Sequence, residues 1–344
     1  MYGGKRMKEN VKSKIDLFVE NKEILRKGNK LESELMTVAS SLVYTSARAK
    51  VDIEKFKECR KILKKKAGMF SSFRSTSELM VVSKMAIADN PEKYIDDIQA
   101  IYKVLTKGTL SDSGYFILAA MSIYETHKID DRNDLSELVD IINNQKDLFK
   151  KLNKKHPILT STDDVPFQML GVLEGKEVDV LFEEIEEGYN YLKKDYKKDK
   201  VDSSMAYNLS QVLAASRGDI KEKCDKAMQI YKTFAAHGTK YGKSYEFTSL
   251  GALVDIDEDV DKLVEEIIEA NEYLEKKKGF GNWSLGATKR LMFAAMLVAD
   301  EYDKDVNVTG NAALTGTLAT IIAEQVALMM VVILAASAAA SSNN

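Results

Sequence analysis

The chain has 344 residues, of which 45% are hydrophobic and 30% charged, and its formal net charge is −3 at pH 7. This length allows a substantial hydrophobic core, and the composition is typical of a soluble helical protein. Lysine runs stand beside acidic runs of similar size, which is typical of solvated helix ends and argues against the basic face of a nucleic-acid-binding protein. We therefore predict no nucleic-acid partner.

Helical patterns dominate the chain from its beginning. There are only three prolines, and sustained two-residue alternation of apolar and polar side chains is nearly absent, so we predict an all-α fold. Apolar side chains at three- and four-residue spacing predict helices over residues 16–25, 31–43 and 51–67. We expect these N-terminal helices, within residues 1–68, to pack on the remainder of the chain.

One acidic motif occurs three times in that remainder. Residues 183–194 hold four glutamates followed by Tyr-Leu-Lys-Lys; residues 265–276 repeat this pattern closely and residues 96–107 loosely. A cluster of small side chains with two adjacent alanines follows each copy, and a Leu-Gly pair precedes two of them, at Gly171 and Gly251. Recurrence over this length predicts a repeated supersecondary unit.

We interpret residues 69–155, 156–237 and 238–344 as three helical units of one continuous domain. Such units bury their apolar faces against their neighbours and form either a curved solenoid or a closed ring, and the sequence leaves these two open. The first helix of each unit is predicted at 77–89, 164–174 and 244–254, and the second at 91–107, 176–195 and 258–277. The third is predicted at 112–126, 202–217 and 283–300, and the fourth at 133–153 and 219–236.

The most apolar stretch of the chain is residues 312–340, which is long enough to span a bilayer. Glu324 near its middle would be costly there, and no Lys, Arg, Trp or Tyr flanks its far end. The repeat also predicts a fourth helix at this position. We therefore expect a buried helix or an interface between copies of the chain, with a membrane anchor as the alternative.

Motifs for catalysis, cofactor binding or metal binding are missing from the sequence. Three histidines and two scattered cysteines make a zinc site a poor expectation, and there is no phosphate-binding loop, so we assign no catalytic residue, cofactor or metal. Cys59 and Cys224 fall within helical patterns, which indicates reduced core residues. The first fourteen residues have no signal-peptide apolar region, and a cytoplasmic location is expected.

The most informative loop runs from His156 to Pro166 and ends in Asp163 and Asp164 at a predicted helix start. The two carboxylates could bind a metal or a cationic ligand. Alternatively, the acids cap the helix, and His156 interacts with the negative end of the preceding helix dipole. The carboxylates of adjacent residues diverge, which favours capping.

If the units curve around one axis, the loops at corresponding positions share a rim. Arrays of this kind bind through loops on one face, so we predict a binding or scaffold protein for a protein segment or a small ligand. The alternatives are an enzyme with the same residues in one pocket, or a membrane-tethered version of either. The candidate residues on the rim are Arg74, His156, Asp163, Asp164, Lys243 and Glu246.

Trp283 is the only tryptophan in the chain and lies at a predicted helix start. It could be a stacking platform at the mouth of a ligand site. Packing of a large aromatic side chain at the helix start is the favoured interpretation.

Residues 156–166 (His-Pro-Ile-Leu-Thr-Ser-x-Asp-Asp-x-Pro) and 241–247 (Tyr-Gly-Lys-Ser-Tyr-Glu-Phe), together with the Ala-rich tail, resemble a bacterial family of uncharacterised proteins, domain of unknown function 4003. The resemblance covers most of the chain. It implies a bacterial protein of a single family, and it supplies no activity, substrate or site residue.

Overall fold

The structure is a computed structural model that describes residues 7–29, 34–68, 71–74, 77–108, 113–127, 135–216, 218–243 and 245–302. This part of the chain holds fourteen α-helices and no strand, which confirms the all-α prediction. The apolar stretch at 312–340 lies outside the described residues. Among the described helices, none combines the length and apolar character that crossing a bilayer requires.

Each helix predicted within the described residues of the three units has a counterpart in the structure, while the fourth helix predicted at 312–340 lies outside those residues. The fourteen helices are α1 Glu9–Gly28, α2 Glu34–Ser46, α3 Ile53–Lys66, α4 Glu78–Ile87, α5 Pro91–Leu105, α6 Gly114–His127, α7 Leu135–Lys155, α8 Val165–Leu173, α9 Val178–Asp195, α10 Ser203–Ala215, α11 Ile220–Ala236, α12 Tyr245–Thr248, α13 Val260–Glu275 and α14 Ala287–Tyr302. A 3-10 turn, Ser249–Leu253, extends α12.

Two helix starts differ from the prediction by more than three residues. α1 begins at Glu9, because the fully buried Val11 and Ile15 anchor two further turns that are otherwise polar. α14 begins only at Ala287, because Gly286 has a positive φ of 88° and interrupts the helical backbone.

Short polar side chains begin many of the helices. An oxygen of the residue before the helix accepts a hydrogen bond from a backbone N–H of the first turn, which is otherwise without an intrahelical partner. The helix-capping residues of this kind are Asp52, Asn90, Asp202, Asp219 and Asp259.

Helices α3 and α4 pack as an antiparallel pair, since Arg60 pairs with Glu78 and Lys55 reaches the Ala88 carbonyl, and α13 and α14 do the same. Arg290 Nε donates to Asn271 Oδ1 over 3.0 Å, and the Tyr302 hydroxyl donates to Glu266 Oε2 over 2.7 Å. As the position advances along α14, its partner therefore moves back along α13.

The odd-numbered helices α9 and α11 run parallel. Between α9 and α11, Glu187 pairs with Lys221 at 2.7 Å and the Tyr191 hydroxyl donates to Asp225 over 2.9 Å, so the partners advance together. We call the side of the molecule on which the starts of α6, α8 and α12 lie the even-helix rim.

The contacts among the odd-numbered helices form a closed series. Each of α1, α3, α5, α7, α9, α11 and α13 contacts the next, and α13 contacts α1. Asp16 of α1 accepts hydrogen bonds from the Tyr273 hydroxyl and the Lys277 ammonium of α13, at 2.9 and 2.8 Å. Asn10 of α1 also donates to Glu301 of α14 over 3.0 Å. We call this meeting of the first and last described helices the seam.

We expect replacement of Gly251 by alanine to destabilise the protein by about 1–3 kcal/mol, the usual cost of overpacking. An added Cβ would lie 2.4 Å from Val212 Cγ1 of α10, and the branched valine has little freedom to move away. Urea unfolding measures the effect. Gly68→Ala is the matched control, because an added Cβ there meets nothing within 4 Å; equal stabilities of the two variants would contradict the prediction.

Candidate functional site

The starts of α6, α8 and α12 come together at the even-helix rim. The Tyr245 hydroxyl of α12 donates to Asp163 Oδ2 over 3.1 Å, although the two residues are 82 positions apart. Tyr115, in the first turn of α6, lies close to the same acids: burial and then the charges of Asp163 and Asp164 raise its pKa. We call Tyr115, Asp163, Asp164 and Tyr245 the rim site.

Asp164 caps the turn that leads into α8 and is almost completely buried, with 2% of its surface exposed. Its Oδ2 accepts from the Ser161 N–H over 2.8 Å, completing a capping box, and its Oδ1 accepts from Gln211 Nε2 over 2.7 Å. Burial, followed by the negative charge of neighbouring Asp163, raises the pKa of Asp164 to about 7. This carboxyl is held in place by α8 and α10.

A series of buried glutamines supports Asp164. Gln145 of α7 donates to Gln168 of α8 over 3.2 Å, and Gln168 donates to Gln211 of α10 over 3.1 Å. All three side chains are buried, and each amide has a definite orientation because its partner requires it. Sequence analysis missed these residues, since glutamine normally indicates a solvent-facing position.

The two adjacent acids diverge, as expected, and Asp163 is the one that remains accessible. It is half-buried, and burial raises its pKa, with the Tyr245 hydroxyl and a backbone N–H acting in the opposite direction. In the part of the chain that the structure describes, no Lys or Arg side chain pairs with Asp163. Among these described residues, Asp163 is therefore contacted by hydrogen-bond donors and not by a cation.

His156 lies at the start of the loop that leads to Asp163 and Asp164. Its Nε2 is 2.5 Å from Glu186 Oε1 of α9, and its ring contacts the rings of Tyr189 and Tyr207, with centroids 4.9 and 5.4 Å away. The Tyr207 hydroxyl hydrogen bonds with Thr160 Oγ1 over 2.6 Å. His156 thus fastens the loop before α8 to α9 and α10, and its ring nitrogen engages Glu186.

The other rim candidates do not join the rim site through any bond among the described residues. Glu246 is buried and its Oε1 accepts from the Thr288 hydroxyl over 3.1 Å, so this carboxylate faces α14. Lys243 is exposed. Arg74 ends a 3-10 turn that contacts α4 and α6, and its buried Nε has no hydrogen-bond partner among the described residues.

Trp283 is fully exposed, which makes the favoured packing interpretation wrong. It lies in the turn before Gly286 instead of at a helix start, because the helical backbone begins only at Ala287. Without a helix to carry it inward, the indole points to solvent.

A metal centre finds no support in the described residues, which contain no group of three or more His, Cys, Asp or Glu side chains placed to hold an ion. Asp163 and Asp164 supply only two diverging carboxyls. The arrangement can offer one accessible carboxylate, two flanking tyrosines and a rigid buried support.

Residues 22–327 match the family described as protein of unknown function (DUF4003). No curated protein and no solved structure matches the chain.

Proposed function

The chain belongs to this family of unknown function, and we propose that it is a binding protein for a small protonated amine, which it takes at the rim site. The observation that carries the proposal is Asp163. It is an accessible carboxylate with no cationic partner in the described part of the chain, and three separate helix starts surround it.

A protonated amine fits this chemistry. Its N–H groups can donate to the carboxylate oxygens of Asp163, and a charge-assisted hydrogen bond of this type is stronger than one between neutral groups. The rings of Tyr115 and Tyr245 are aromatic surfaces against which a cation is stabilised. An anionic ligand would be repelled by Asp163, and a divalent metal would need more oxygen ligands than the site offers.

Binding is favoured over acid–base catalysis by the position of Asp164. Its pKa of about 7 would suit a proton donor or acceptor. However, the side chain is 2% exposed, and its two oxygens are occupied by Ser161 and Gln211. Asp164 therefore stabilises the loop before α8, and Asp163 binds the amine.

The proposal includes the architecture that creates the rim. We propose that three repeated units, 69–155, 156–237 and 238–344, close with the N-terminal helices into a ring. The closed series of odd-numbered helices and the corresponding starts of α4, α8 and α12 support this arrangement. We also propose a cytoplasmic location, which the buried free thiols of Cys59 and Cys224 support.

Isothermal titration calorimetry against a panel of primary, secondary and quaternary amines tests the function. We expect at least one amine to bind, and we expect Asp163→Asn to weaken its affinity at least tenfold, because the amide keeps the shape and loses the charge. Asp257→Asn removes the same charge from an exposed loop and should leave the affinity unchanged. Binding that is equally tight in the Asp163→Asn variant, or no binding by any amine, would contradict the proposal.

A further inference from the structure

Apart from the rim site, the molecule also has a cleft at the seam. An open cleft of about 770 Å³ separates the C-terminal half of α1 and the start of α2 from the loop between α13 and α14. This volume lies in the range of about 300–1,000 Å³ that is typical of small-molecule sites. We call it the seam cleft; the lining residues that matter here are Lys22, Arg26, Lys27, Glu34, Lys278 and Ser284.

The seam cleft carries an excess of positive charge. Of the residues that the structure describes, four with cationic side chains line the cleft and two with carboxylates, Glu23 and Glu34. Glu34 is shared, since its carboxylate pairs with both Lys22 and Arg26. The cleft is therefore suited to a ligand of negative charge.

One of these cations, Lys22, is buried and held in place by the fold. It is 4% exposed, its ammonium donates to the Lys278 carbonyl over 3.2 Å, and the ammonium lies 4.8 Å from the centroid of the Phe280 ring. Burial, followed by the positive charge of Arg26, lowers its pKa to about 8, with Lys278 acting in the same direction. An anion in the cleft would stabilise the protonated form.

The backbone at Gly279 passes close to the Lys22 ammonium. Gly279 has a φ of +83°, and a Cβ added there would lie 1.8 Å from Lys22 Nζ and 2.6 Å from Glu34 Oε1. Only glycine lets the loop adopt this conformation and approach the Lys22–Glu34 pair so closely. The loop, the buried cation and the carboxylate thus form one wall.

An exposed aromatic side chain is adjacent in sequence to the cleft lining. Trp283 is fully exposed and directly precedes Ser284, which lines the cleft. We propose that the seam cleft binds a phosphate ester carrying a planar ring, with the phosphate among Arg26, Lys27 and Lys278 and the ring stacked on the Trp283 indole. Arginine and lysine side chains bind phosphate oxygens through charge-assisted hydrogen bonds, and stacking on an exposed indole adds affinity without requiring one particular ring.

Tryptophan fluorescence tests this directly, because Trp283 is the only tryptophan in the chain. Adenosine 5′-monophosphate, a phosphate ester with a planar ring, is titrated into the full chain. We expect a saturable change in emission, and we expect inorganic phosphate to compete with it. Adenosine alone should bind at least tenfold more weakly, since it lacks the anion.

Lys278→Glu should weaken the binding of adenosine monophosphate at least tenfold. Lys240→Glu is the matched control, because this lysine is exposed in another loop, and it should leave the affinity unchanged. Both replaced side chains are exposed, so both variants are expected to fold, which circular dichroism checks. A linear, non-saturating loss of emission that is the same in wild type and Lys278→Glu indicates collision only and would overturn the proposal, as would equal binding of adenosine.

Discussion

Replacing Lys14 with methionine is expected to destabilise the folded protein by about 3–5 kcal/mol, the cost of removing one partner from a buried ion pair. Lys14 lies in α1 at the seam and is buried together with Asp300 and Glu301 of α14. Its ammonium pairs with both carboxylates, and the contact with Glu301 Oε1 is 2.9 Å. Methionine fills a similar volume and leaves the two acids buried without this cation. Urea unfolding at pH 7 measures the loss.

Lys12→Met is the matched control for the seam prediction. Lys12 also lies in α1 and pairs with Glu9 at 3.4 Å, but the pair is at the surface, with 37% and 75% of the two side chains exposed. An exposed pair of this kind contributes about 0.2–1 kcal/mol. If Lys14→Met loses no more stability than Lys12→Met, the Lys14 ion pairs do not stabilise the packing of α1 on α14.

The second large effect is a pH dependence of stability that Asp164 causes. Burial raises the pKa of this carboxyl from 3.8 to about 7 in the folded protein. Between these values the folded protein retains a proton that the unfolded chain has released, so the free energy of unfolding falls as the pH rises. At about 1.4 kcal/mol for each pKa unit, the total fall is up to roughly 4 kcal/mol, and it ends above pH 7.

The measurement for Asp164 is the free energy of unfolding at pH 4, 5, 6, 7 and 8 for wild type and Asp164→Asn. Asparagine cannot ionise, so we expect wild type to lose stability relative to this variant as the pH rises from 4 to 7. Asp257→Asn, at an exposed position, should follow the wild-type profile. A wild-type curve that stays parallel to the Asp164→Asn curve over this range would contradict the expectation.

Local pattern predicted the helices well, and it could not predict the closing contacts of the chain. Apolar spacing predicts which residues of a helix are buried, as for Val11 and Ile15 once α1 is extended. Lys14 and Glu301 are 287 positions apart, and each looks like an ordinary charged residue of a surface helix. Only the folded structure buries the pair.

At the candidate site, too, the sequence predicts part of the arrangement and the fold reveals the rest. The sequence predicts that the loops before α8 and α12 share a rim, and the structure brings Asp163 to Tyr245. The sequence alone could not predict which side chain of α12 makes the contact. Consecutive residues of a helix point about 100° apart, so Tyr245 faces Asp163 while Glu246 faces Thr288.

The error at Trp283 has a readable cause. The apolar pattern extended the predicted helix back to residue 283, but Gly286 adopts a positive φ that ends helical geometry before Ala287. Glycine near a predicted helix start is a boundary signal, and here it marks the boundary that apolar spacing does not. The glutamine series had no such signal, because burial of polar side chains depends on partners from other helices.

The proposed amine site is tested most directly by carbon-13 NMR of the aspartate carboxyls, with Asp163 assigned by the Asp163→Asn variant. In the free protein, we predict that Asp163 titrates above its ordinary pKa of 3.8, because burial penalises the charged form. Addition of the amine that binds in calorimetry should lower this pKa, since the nearby cation stabilises the carboxylate. An Asp163 pKa that is ordinary in the free protein and unmoved by the bound amine would contradict the account.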